Sequence, residues 1–352
     1  MSETAGVVVD ADQISPQWLS RALSAQVDAV TATPVGTGQM GSVFRLEITG
    51  PAVPSRLMAK LPTADAGARD LVAGAYRQEL RFYTEIAPTV SIRVPGCRYA
   101  EFTREGAEFT LLLDDLAPAT QGDQLTGCSV AQAHAAVRNL AGLHGPRWCD
   151  PVLKDIEGLA PTSAETAEML AGVYGPAVDI FLDKLSDQLA AEDHDTVRAC
   201  VPGVAGWLLA GSERFAPVHG DYRLDNLMFG APDDSGEVEV WAVDWQTLAL
   251  GLPARDLAYF IGTSLDPRIR RTHEDALIET YWRALCAHGV TGYSLESCHA
   301  DYRFALPQGP LIAVFGAAYG TPTPRGEQMF AAMVRRSCAA IRDWDSLSRL
   351  PG

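Results

Sequence analysis

The chain has 352 residues, 47% of them hydrophobic, with a formal charge of −16, so it is long enough for two lobes or one large fold with substantial cores. The acidic balance leaves no basic stripe of the kind nucleic-acid binding needs, and there is neither a run of eighteen apolar residues nor a cationic start followed by an apolar stretch, so no membrane span or secretory signal is indicated. Seven scattered cysteines, without a Cys-x-x-Cys pair, argue against a disulfide framework or zinc site and point to reduced thiols in the cytoplasm.

Ser15 followed by Pro16 opens a short helix through Leu23. Next comes Gly36-x-Gly38-x-x-Gly41-x-Val43, set between two β-prone stretches. A Gly-x-Gly-x-x-Gly can open a dinucleotide-binding helix, but Ser42 to Ile48 alternates like a strand, which predicts a glycine-rich hairpin. Arg56 to Pro62 is a short apolar run carrying one cation, Lys60, which suits a strand; an outward-facing edge lysine is the plain alternative. Apolar positions at 72, 76, 80 and 83 predict a helix from Asp70 to Ile86, ended by Pro88. Phe109 to Leu113 reads as a buried strand running into Asp114, Asp115 and Leu116, and Val130 to Leu143 as a helix stopped at Gly145.

The densest signal is His219-Gly220-Asp221-Tyr222-Arg223-Leu224-Asp225-Asn226, followed by the apolar run Val238 to Val243 and then Asp244-Trp245-Gln246. Transfer of a phosphoryl group needs a carboxylate near the attacking hydroxyl, and metal ions bridging nucleoside phosphates, because the transition-state charge is spread over oxygens. Asp221 suits the first task; Asn226 and the strand-borne Asp244 suit the second. Downstream, Asp256 opens the helical pattern Pro253 to Phe260, where a carboxylate can cap backbone amides. Helices are predicted at Ala164 to Ala191, Arg270 to Ala287, Tyr302 to Ala318 and Gly326 to Leu347, with Tyr302, Phe315 and Tyr319 as core or as lining of an acceptor pocket.

The His219 to Asn226 segment resembles the catalytic loop of the aminoglycoside phosphotransferase and choline kinase superfamily, in which His-Gly-Asp stands where protein kinases have His-Arg-Asp. Val243 to Gln246, followed by Gly251 to Phe260, is most similar to the ecdysteroid kinase-like branch. The resemblance implies an α+β, protein-kinase-like two-lobe fold. Its small N-terminal lobe, an antiparallel sheet plus helix, spans 1–115 and binds nucleotide; a larger, mostly helical C-terminal lobe spans 116–352 and holds catalysis and the acceptor. It implies ATP and Mg²⁺ as cofactors and a small-molecule hydroxyl as acceptor, whether a steroid-like alcohol, an aminoglycoside, an amino alcohol or a sugar. Gly36, Gly38 and Gly41 then cover the nucleotide, Lys60 pairs with phosphates, Glu79 rather than Glu85 positions Lys60, and the backbone around Asp114, Asp115 and Leu116 meets the adenine. Asp256 would buttress the catalytic loop. His144 and His219 read as structural. The loop Gln121 to Leu125 also resembles a family element, without chemistry assignable from its spacing. A catalytically silent kinase-fold binding protein is the alternative, against which the intact set Lys60, Asp221, Asn226 and Asp244 argues. No Ala-Pro-Glu segment follows Asp244, so a protein kinase is disfavoured.

Overall fold

The computed structural model describes residues 5–36 and 41–350. The chain divides into two compact units. The first gathers Met1–Pro88, Val94–Pro118 and Val243–Thr247; the second gathers Thr89–Arg93, Ala119–Ala242 and Leu248–Gly352.

In the first unit, α1 (Pro16–Leu23) is capped by Ser15, whose hydroxyl accepts the Trp18 amide. Five antiparallel strands follow: β1 (Ala29–Pro34), β2 (Gly41–Thr49), β3 (Arg56–Pro62), β4 (Cys97–Thr103) and β5 (Glu108–Asp114), in the spatial order β1-β2-β3-β5-β4. Period-two alternation decides where Lys60 points. Leu57, Ala59 and Leu61 of β3 are buried in a core with Trp18, Leu46 and Ile48, so Lys60 falls on the opposite face of the sheet. Helix α2 (Ala66–Arg81) passes into a π-helical turn over Phe82–Ile86. It starts earlier than the apolar spacing predicts because Asp65 caps it through the Gly67 amide.

The second unit is mostly helical: α3 (Val130–His144), α4 (Ala164–Leu185), α5 (Ala191–Cys200), α6 (Val204–Leu209), α7 (Ala254–Ser264), α8 (Pro267–Ala287), α9 (Leu295–Ala305), α10 (Gln308–Tyr319) and α11 (Pro324–Trp344). Two sequence-predicted helices prove to be pairs. The segment from Ala164 breaks after Leu185 into a 3-10 turn before α5. The segment expected from Tyr302 is interrupted at Leu306-Pro307, because Pro307 has no amide to continue α9 and instead stands at the start of α10. Short strands finish the unit: β6 (Thr120–Gln121), β8 (Leu227–Phe229) and β9 (Val240–Ala242) form one sheet, β7 (Ala216–Val218) and β10 (Ala249–Gly251) another. Strand β7 runs directly into His219, and β8 leaves directly after Asn226. The catalytic-type loop is therefore pinned at both ends by strands whose residues are largely buried. Among the described residues no helix is long and apolar enough to cross a membrane. A five-stranded antiparallel sheet with a helix, followed by a largely helical part, is the α+β kinase-like architecture expected from the sequence.

Candidate active site

The first unit holds one buried charge cluster. Glu79 lies on the same stripe of α2 as Ala73, Tyr76 and Leu80, and is itself fully buried. Its Oε1 accepts from Lys60 Nζ at 2.5 Å, and Gln246 Nε2 donates to Oε2 at 3.4 Å. Lys60 Nζ also lies 3.6 Å from Asp244 Oδ1. Burial would lower the Lys60 pKa, but Asp244 and Glu79 together raise it, so the ammonium stays charged. Burial pushes the Glu79 carboxyl upward against the pull of Lys60. Asp244 sits in the left-handed region at φ +67, and its Oδ1 is buried without a hydrogen-bond partner. Trp245 stacks on Phe82 with ring centroids 3.3 Å apart, so the residues following Asp244 are clamped to the end of α2.

The remaining residues expected to contact nucleotide are placed as follows. Gly36 turns the chain at φ +71, and Gly41 opens β2 so close to β3 that a Cβ there would meet the Leu61 carbonyl oxygen at 2.9 Å. Gly38 lies outside the described residues. Both acids at the end of β5 are spent on ion pairs: Arg98 holds Asp114, its last residue, with two hydrogen bonds of 2.7 and 3.0 Å, and Arg45 donates to Asp115, the next, at 2.9 Å. The Asp114 amide donates to the Gly96 carbonyl at 2.9 Å, which leaves the chain beyond it, through Leu116, as the stretch with backbone groups to offer a planar base.

Asp221 and Asn226 belong to the second unit. Each oxygen of Asp221 carries two donors: Arg223 Nε reaches both at 3.0 Å, Tyr259 Oη donates to Oδ1 at 2.7 Å, and Asn226 Nδ2 donates to Oδ2 at 2.9 Å. With its nitrogen committed to Asp221, Asn226 has its amide oxygen as the end suited to a cation. Asp256 does not cap α7, which has no side-chain cap; its two oxygens instead accept the backbone amides of His219 at 2.6 Å and Gly220 at 2.9 Å, holding the turn before Asp221. His144 is buried between Tyr281 Oη at 2.7 Å and Asp256 at 3.4 Å, a structural histidine as its sequence context suggests.

Six residues here were not singled out by sequence reasoning: Asp123, Gln124, Arg223, Asp225, Tyr259 and Arg325. Arg223 bridges Asp221 to Asp225 (2.9 Å), Arg325 closes on Asp225 with bonds of 2.8 and 2.9 Å, and Arg325 also reaches Asp123 at 2.9 Å. Cations and carboxylates thus alternate from Asp221 outward. Burial opposes the charge on Arg223, but Asp221 and Asp225 outweigh it and raise its pKa; burial likewise opposes Asp225, yet Arg325, the Gln124 amide and Arg223 lower its pKa. Gln124 is fully buried and accepts the Leu224 amide at 2.9 Å, while Tyr259, whose pKa burial and Asp221 push far up, remains a hydroxyl donor. The signal for Gln124 was the Gln121 to Leu125 motif; that for Arg223 and Asp225 lay inside the loop itself. Arg325 comes from the first turn of α11, and no local pattern links it to the loop.

Comparison with known proteins gives a consistent picture. The model of the ecdysteroid kinase-like family matches residues 211–289. A comparison with curated protein sequences finds no match. Among solved structures, choline kinase from Cryptosporidium parvum superposes with a TM-score of 0.58 at 10% identity, covering 94% of each chain. A Ralstonia eutropha protein assigned as an aminoglycoside phosphotransferase gives 0.55 at 19% identity, covering 96% of this chain and 98% of its own. The streptomycin-ATP ternary complex of APH(2″)-IIa gives 0.52 at 13%, covering 90% and 92%. Over nearly its whole length the chain shares the fold of these choline kinase and aminoglycoside phosphotransferase structures, and over residues 211–289 its sequence resembles the ecdysteroid kinase-like family.

Proposed function

We propose that the protein is an ATP- and magnesium-dependent kinase that phosphorylates a hydroxyl of a small molecule, with residues 1–115 as its nucleotide lobe and 116–352 as its catalytic and acceptor lobe. The observation that carries this reading is the cluster of Lys60, the buried Glu79 and the half-exposed Asp244, in which the inward oxygen of Asp244, Oδ1, makes no hydrogen bond and has only Lys60 Nζ beside it, at 3.6 Å. An ammonium fixed by Glu79 is suited to the α and β phosphates. A carboxylate oxygen held by one loose ion pair and no hydrogen bond is suited to a hard cation. Asp244 and the amide oxygen of Asn226 would hold Mg²⁺, which when bound neutralises charge on the phosphate oxygens. An ion completed by phosphates and water needs no protein-only cage, and none of three or more His, Cys, Asp or Glu exists among the described residues.

The chain's own residues divide the rest of the work. Asp221 orients the acceptor hydroxyl and takes its proton as the oxygen bonds to the γ-phosphorus and the bond to the β–γ bridging oxygen breaks. Arg223, Tyr259 and Asn226 fix the carboxylate that does this, and Asp256 fixes the turn that carries it. The glycine hairpin from Gly36 to Gly41 covers the phosphates, and backbone groups from Asp114 to Leu116 meet the base. Nucleotide and acceptor classes are supported by relatives of the same fold, one of them holding ATP and streptomycin together. All seven cysteines are unpaired, which fits the reducing cytoplasm. Calorimetric titration with ATP and with GTP, each with and without Mg²⁺, tests the reading. Magnesium-dependent nucleotide binding that falls at least about tenfold in Asp244→Ala supports it; equal binding by that variant removes Asp244 from the metal site.

A further inference from the structure

A second site lies at the other end of α11 from the catalytic-type loop. The helix has 21 residues; Arg325 in its first turn bonds Asp225 of the loop, whereas Trp344 at its last position lines a cavity of about 470 Å³. At about 1.5 Å per residue the helix separates them by roughly 28 Å. A volume of this size lies within the range of small-molecule pockets.

The walls specify a chemistry. His299 stacks on Trp344 with centroids 5.9 Å apart and rings 26° from parallel, giving one flat face, and Phe304 adds a second aromatic surface. Three arginines line the same space, 214, 303 and 349, in a chain whose net charge is −16. Arg214 is already matched: Asp301 takes two of its bonds at 2.7 Å each, and Glu213 lies 3.0 Å away. Arg303 is matched on one side only. Its Nη2 donates to the Asp345 carbonyl, the Asp345 carboxylate and the Ser348 hydroxyl, while its Nε is buried with no hydrogen-bond partner. The Arg349 guanidinium makes no ion pair or hydrogen bond among the described residues. Asp301, the lining acid nearest the arginines, has its oxygens occupied by Arg214 and by Tyr293 Oη at 3.1 Å. The buried, unpaired Arg303 Nε and the exposed, unpaired Arg349, beside flat apolar walls, suit an acceptor-bearing, planar guest, since a buried N–H left unpaired costs more than one paired with an anion.

We propose that this cavity is a binding site, separate from the kinase site, for an organic anion that joins a carboxylate or phosphate head to a flat ring. The head pairs with Arg303 Nε and Arg349, and the ring lies against Trp344 and His299.

Calorimetric titration of the full chain at low ionic strength with 2-naphthoate, 2-naphthyl phosphate and neutral 2-naphthol tests the assignment and separates the two heads. Binding of at least one anion roughly tenfold or more tighter than 2-naphthol is expected, with that margin lost in Arg349→Ala and in Arg303→Gln. Arg349 is exposed and makes no ion pair or hydrogen bond among the described residues, so its variant should unfold at the same urea concentration as the unmodified chain, and the Asp221→Asn protein should bind the anion as the unmodified chain does. Equal affinity for all three probes, an anion preference that survives in Arg349→Ala, or one lost in Asp221→Asn would overturn it.

Discussion

The two charged clusters on which the kinase reading rests are completed to different degrees. Around Asp221 every carboxylate oxygen carries two donors, and the donors are themselves anchored, Arg223 by Asp225 and Asp225 by Arg325. Around Asp244 one oxygen is buried with no hydrogen bond and only Lys60 Nζ nearby at 3.6 Å, and the backbone there holds a left-handed conformation that costs about 1 kcal/mol or more for a residue with a side chain. A saturated network fixes geometry; an unsaturated one keeps room for something to bind. The contrast assigns positioning to one cluster and ligand capture to the other.

If that division is right, the two acids nearest these clusters respond in opposite ways to truncation. Asp256→Ala removes the acceptor of two loop amides and should cost about 2–4 kcal/mol of stability in urea unfolding. Asp244→Ala removes a half-exposed carboxylate from Lys60, which Glu79 still holds, and should cost about 1 kcal/mol or less. Comparable losses in both would erase the distinction. A subtler probe is Arg223→Lys, which keeps the charge but not the single donor that spans both oxygens of Asp221. It should lower kcat by roughly tenfold with KM unchanged, and Arg223→Gln should do worse; a change in KM alone would move Arg223 from positioning to substrate binding.

The smallest effect concerns acid stability. Asp225 has a folded-state pKa below its unfolded value of about 3.9, so its contribution is present above that value and is lost as pH falls through the folded one. Arg325→Gln removes the strongest group holding that pKa down. Its unfolding free energy should lie below the unmodified protein's near pH 7, where the Asp225 contribution is fully present, and the gap should narrow on acidification as Asp225 becomes protonated in both. Parallel acid profiles would show that Arg325 does not hold Asp225.

Much of this was legible in the sequence because it is local. The strand around Lys60, the capped helix at Pro16, and the loop from His219 to Asn226 each follow from neighbouring residues. What could not be read depends on partners far along the chain. Arg325 meets Asp225 across a hundred residues, Gln124 meets Leu224 across as many, and Val243–Thr247 returns to pack with the first unit. Asp256 shows the two kinds of reading side by side: its position at a helix start satisfies the local capping pattern, which it does not use, while the family resemblance implied the buttressing role that its bonds to the amides of His219 and Gly220 match.

The most direct test is magnesium-dependent ATP consumption by the purified protein across sterols, aminoglycosides, amino alcohols and sugars, with Asp221→Asn run in parallel. Turnover on one acceptor class, reduced by roughly two orders of magnitude or more in the variant while its nucleotide affinity is kept, is the expected result. An Asp221→Asn protein that turns over the same acceptor at a near-normal rate would contradict the assignment of Asp221, and with it the proposed mechanism.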